Sequence, residues 1–91
     1  MEQTLLASLE SLTTADFFFV SPSDEPGAIQ ISLERDLRDW AVGFGIEEKA
    51  GHDCEGSGIS FVRCVKKLVD AGSTVAVGSD GNGGYYTDVV D

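Results

Sequence analysis

The residues best suited to chemistry stand together at 52–55. His52, Asp53, Cys54 and Glu55 place an imidazole, a thiol and two carboxylates in one short run, bracketed by Gly51 and Gly56. These are the side chains that ligate zinc or pair as a Cys-His nucleophile. Adjacency works against both uses. In an extended backbone His52 and Cys54 point one way and Asp53 and Glu55 the other, so at most two converge. The chain has no second histidine and no third cysteine to complete a four-coordinate site. The expectation is a solvated loop with no metal, no cofactor and no catalytic residue. An enzyme built on Cys54 and His52 is the rival reading, and no substrate follows from it. Two cysteines are too few for a disulfide scaffold, so in a reducing compartment Cys54 and Cys64 are expected to be free thiols.

A second run has the oxygen-bearing side chains of a calcium loop: Asp80, Asn82, Asp88 and Asp91 at positions one, three, nine and twelve. The motif fails at its strict positions. Its sixth place, which needs glycine for the bend, holds Tyr85, and its twelfth holds Asp rather than Glu. The same glycines could cradle a phosphate, but no Gly-Lys-Ser/Thr ending follows them. A hairpin turn accounts for the run, with Tyr85 and Tyr86 on opposite faces of the following strand, one in the core and one exposed. Arg63, Lys66 and Lys67 share one helical face and read as its solvated side.

The carboxylates carry the strongest signal. Sixteen acids against six bases give a net charge of −10. Residues 1–56 hold twelve acids and three bases, net −9, while residues 57–91 hold four and three, net −1. Such a field disfavours direct contact with nucleic acid or an anionic membrane and favours basic partners. The candidate partner-binding residues are Asp24, Glu25, Glu34, Asp36, Asp39, Glu47, Glu48, Asp53 and Glu55, drawn from turns and loop edges. Gathered on one side, they could stand in for the phosphates of a duplex. The function expected on that basis is a small acidic inhibitor that occupies a basic nucleic-acid-handling protein or nucleoprotein complex, as viral anti-CRISPR and anti-restriction proteins do. The alternative is a salt-adapted structural or interaction domain whose acidity has no specific reader. Either is compatible with a monomer or a dimer.

The elements that must position these groups are read from periodicity. Residues 57–72 form the clearest one, a helix with Phe61, Val62, Val65, Leu68 and Val69 on one stripe. Ser57 or Ser60 could cap its first turn, and Gly72 could end it. Leu5, Leu6, Leu9 and Leu12 predict a short helix over 2–12. Asp16 to Val20 reads as a strand apolar on both faces, followed by a loop over 21–27 in which Pro22 and Pro26 exclude ladder positions. Residues 29–46 alternate as two strands about a turn at 35–39, with a helix over 32–43 as competitor. Residues 47–58 read as a connection, and 74–77 with 85–90 as a hairpin around Asp-Gly and Asn-Gly dipeptides. The sum is one α+β domain over 1–91: an antiparallel sheet of about five strands with an N-terminal helix and one main helix packed on it. No apolar run reaches the ~20 residues of a membrane span and the start lacks a signal-peptide pattern, so a cytoplasmic protein is expected.

Overall fold

The local patterns fold, in chain order, as α1 (Glu2–Ser11), β1 (Phe17–Pro22), β2 (Ile29–Ser32), β3 (Cys54–Gly56), α2 (Gly58–Asp70), β4 (Val75–Ser79) and β5 (Tyr85–Val89). The structure is a computed structural model and describes residues 2–11, 17–25, 28–32 and 51–90. The strands make one antiparallel sheet in the order β2-β1-β4-β5-β3. The expected α+β class is therefore observed.

Helix α2 forms because its apolar residues recur at helical spacing. Phe61, Val62, Val65 and Val69 are buried, while Arg63, Lys67 and Asp70 face solvent. Its β-branched residues are poor helix formers, so the element depends on the sheet beneath it. The end of the helix is well defined. Ser73 N–H donates to Leu68 O and Gly72 N–H to Val69 O, with Gly72 at φ +97° in the left-handed region that glycine adopts without strain. The start is less well capped: the Ser57 side chain makes no cap bond, and the Ser60 hydroxyl donates back to Ser57 O.

The sheet has both faces covered. Val20, Val75, Val77 and Phe18 share the face under α2 and α1, where Leu5 and Leu9 join them, and all are essentially inaccessible. Tyr85 is on this face too, its ring centroid 5.7 Å from that of Phe61 and its hydroxyl donating to Leu9 O at 2.8 Å. On the other face Phe17, Ala76, Tyr86 and Asp88 are also buried. Gly78 lies between two of these rings. A Cβ there would stand 2.5 Å from Phe17 Cε1 and 2.9 Å from Tyr86 Cζ, so the edge-to-face contact of the two aromatics depends on a bare backbone at 78.

Several expectations are corrected. The stretch 47–58 is not all connection, because Cys54, Glu55 and Gly56 pair with Thr87, Tyr86 and Tyr85 as an edge strand. Pro22 belongs to the ladder, opposite Ile29. The Ser23 N–H to Ala28 O bond sets the alternation so that the Pro22 nitrogen faces away from β2, on the side where the ladder to β4 has already ended at Val20. Neither Tyr85 nor Tyr86 is exposed, because the second face is covered as well as the first. Gly78 and Ser79 extend β4 rather than the turn. The predicted strand at 40–46 and the turn at 35–39 lie outside the described residues, as does the competing helix at 32–43 beyond Ser32, which belongs to β2.

Two substitutions test this packing. Gly78→Ala is expected to lower stability by about 1–3 kcal/mol, read as a shift of the urea midpoint, since the added methyl must displace an aromatic ring. The Thr87 hydroxyl is buried and has no hydrogen-bond partner among the described residues. Thr87→Val should therefore raise the midpoint, by about 1 kcal/mol in stability.

Candidate functional site

The cluster at 52–55 is organised by residues more than thirty positions away. Asp88, in β5 on the face away from α2, is buried, and its carboxylate accepts from the Asp53 N–H at 3.1 Å and bonds His52 Nδ1 at 2.6 Å. In return the Asp53 carboxylate accepts from the Val89 N–H at 3.0 Å. The His52 ring stacks on Tyr86 with centroids 4.7 Å apart, and its side chain is 10% exposed. A carboxylate only accepts, so Nδ1 carries the proton and Asp88 fixes the ring's tautomer. Nε2 is left with no partner among the described residues.

Histidine oriented by a buried carboxylate is half of a catalytic dyad. The other half is not beside it. Cys54 is opposite Thr87 on the α2 side of the sheet, whereas His52 packs against Tyr86 on the other. The expectation that His52 and Cys54 point the same way fails because the ladder begins only at Cys54. The clamp on the Asp53 N–H turns the preceding residue across the strand end. The pairing of this imidazole with this thiol is thereby excluded, and the reading of 52–55 as a solvated loop is corrected to a hydrogen-bonded strand entry.

The thiols are corrected as well. Cys54 and Cys64 form a disulfide, with Cα atoms 6.1 Å apart, tying β3 to α2. Register brings this about: Cys54 faces the helix from the sheet edge, and Cys64 borders the helix's apolar stripe. The short interval closes only a small loop. Asp80, the first residue of the calcium-like run, spends its carboxylate on the Asn82 and Gly84 N–H groups at 2.7 and 3.0 Å, which shapes the β4–β5 turn. Asp88, nine places into that run, faces His52 instead. Among the described residues no group of three or more His, Cys, Asp or Glu side chains could hold a metal ion.

Of the nine candidate partner-binding acids, Asp24, Glu25, Asp53 and Glu55 are described and all four are exposed. Glu34, Asp36, Asp39, Glu47 and Glu48 lie outside the described residues. Register places β1's last residue, β4's first, β5's last and β3's first at one end of the sheet. Asp24 and Glu25, in the β1–β2 connection, and Asp53 therefore share that end. Asp70, in the last turn of α2, joins them. With Asp24 and Glu25 it lines a cleft of about 190 Å³, and it also pairs with Lys66 at 2.9 Å. Glu55 projects from the middle of β3, opposite Tyr86. Pattern reading placed Asp88 only in the calcium-like run and Asp70 in no site. A lone Asp in a β-rich stretch was a signal for the first; nothing pointed to the second.

No protein-family model matches the chain, and no curated protein and no solved structure matches it. No helix among the described residues is long and apolar enough to cross a membrane.

The histidine-carboxylate pair makes a testable claim about stability. His52→Ala removes both the donor to a buried carboxylate and a stacked ring, and should cost about 3 kcal/mol in urea unfolding. Asp88→Asn should cost less, because the neutral imidazole can change tautomer and accept from an amide. A His52→Ala midpoint within error of the parent would show the pair to be incidental.

Proposed function

We propose that this chain is a small, non-enzymatic acidic protein that docks against a basic nucleic-acid-handling partner and occupies the groove meant for nucleic acid. Its sphere of action is the one expected of viral proteins directed at host restriction or CRISPR machinery, in the cytoplasm. The observation that carries the reading is the gathering of Asp24, Glu25, Asp53 and Asp70 at one end of the sheet. The C-terminal end of α2 lies there too, and the helix dipole adds partial negative charge at that end. A cleft lined by three carboxylates takes a lysine or arginine head group from a protein partner more readily than any anion. The net charge of −10 supplies long-range steering toward such a surface.

Partial cancellation is present: Lys66 offsets Asp70, and Asp53 is held by Val89 N–H. The docking charge at that end thus falls chiefly on Asp24 and Glu25, with Glu55, in the middle of β3, and the acids at 34, 36, 39, 47 and 48 as further candidates.

Affinity capture from the host followed by competition tests the proposal. The parent chain should displace a labelled duplex from the captured basic partner, less effectively as salt is raised. The combined substitution D24K/E25K/E55K should weaken that displacement at least about tenfold, equivalent to 1.4 kcal/mol. Undiminished displacement would rule out docking through these carboxylates. Recovery of nothing but further copies of the chain would favour the salt-adapted interaction domain instead.

A further inference from the structure

The disulfide joins α2 to a strand at the edge of the sheet. Of the fourteen buried hydrophobic residues in the described core, Cys54 is the only one that β3 contributes. The others come from α1, α2, β1, β4 and β5. β3 itself is three residues long, ends the sheet, and exposes Glu55 and Gly56. Its start is anchored independently by the His52–Asp88 and Asp53–Val89 bonds, and the chain beyond it re-enters fixed structure at Gly58. The ladder of Cys54, Glu55 and Gly56 on Thr87, Tyr86 and Tyr85 therefore has one strong attachment from a side chain, the sulfur bond to α2.

We propose that the Cys54–Cys64 disulfide is a redox latch: opening it by a dithiol reductant releases residues 54–57 from β5 as a loop, while both helices and the other four strands stay folded. The chemistry is thiol–disulfide exchange. A thiolate of the reductant attacks Cys64 Sγ, because Cys64 is half-buried on the rim of α2 whereas Cys54 is 3% exposed. The sulfur–sulfur bond breaks, Cys54 leaves as a thiolate and takes up a proton. The reductant's second thiol then attacks the mixed disulfide and expels Cys64, which is protonated in turn. Two electrons pass to the protein, and the reductant ends as its own disulfide.

The released state differs from the latched one in two ways. The main-chain edge of β5 at Tyr85, Tyr86 and Thr87 is uncovered, and an unpaired edge is a template for an added strand. Glu55 is carried away from the sheet on a loop. Neither consequence depends on which partner the chain binds, so the inference stands apart from the proposed function.

The test follows Cys54 as a reporter of its own release. In the intact chain treated with a dithiol reductant, helical dichroism should persist. The Cys54 thiol should alkylate with iodoacetamide within about tenfold of an unstructured cysteine, and amide exchange should rise at 54–56 and at 85–87 but not at 75–78. Cys64→Ser, which leaves Cys54 with no sulfur to bond, should behave the same way without reductant. Slow alkylation of Cys54 in both samples would mean that the strand stays docked, and the latch would be refuted. Loss of the helical signal on reduction would refute it also, by showing the bond to be a staple for the whole fold.

Discussion

The fold depends on β4 being dry on both sides. Val75 and Val77 face the valine stripe of α2, and Ala76 and Gly78 face the layer of Phe17 and Tyr86, with none of the first three measurably exposed. A strand buried on both faces cannot be an edge, since its main chain would lose water without gaining partners. It must be central. β1 and β5 then flank it, and the strands left for the rim are the short β2 and β3. The arrangement also explains an otherwise odd glycine. Two rings meet edge to face across β4, and the meeting point has room for a backbone and nothing more.

How much of this is legible in the sequence varies with range. The helix over 57–72 is legible because five apolar residues keep a period that one face of a helix needs. The β4–β5 hairpin is legible because glycine dipeptides mark its turn, and Phe17 to Val20 is legible as a strand too apolar to have a wet side. β3 is not. Cys-Glu-Gly has no period, and its reason to be extended is a ladder with residues about thirty positions on. The disulfide is hidden for a related reason: a count of two cysteines does not reveal that one faces the helix bearing the other. His52 and Asp88 are 36 residues apart, so their pairing is a product of register rather than of any local pattern. Of the nine acids singled out, the four within described residues are exposed as a solvated charge must be. Their common strand end follows only from the order of the sheet.

The unusual groups collect at the β3 rim. There a buried carboxylate is offset by an imidazole and a backbone N–H, a second carboxylate bonds back to β5, and sulfur ties the strand to α2. Placing polar bonds at the sheet margin has a physical logic. A carboxylate inside the valine layer would face a desolvation cost of several kcal/mol with no donors in reach. At the strand end, open main-chain N–H groups are available as partners. Two such groups, at Asp53 and Val89, are used.

The same margin limits how the negative field can act. Asp24 and Glu25 stand beyond β1 and Asp53 beyond β3, three strand spacings apart, or about 14 Å. At physiological salt the screening length is about 8 Å. Asp24 and Glu25 therefore present themselves to an approaching surface at close range as a pair separate from Asp53, and the acids act as one net charge only from further away. In the proposed docking, capture would be governed by the total of −10, and seating by whether the partner carries positive groups at a matching separation. A grooved, basic surface that spans both positions satisfies the two conditions together. A single basic patch satisfies only the first, and on the proposed reading that difference would separate one cationic partner from others of like charge.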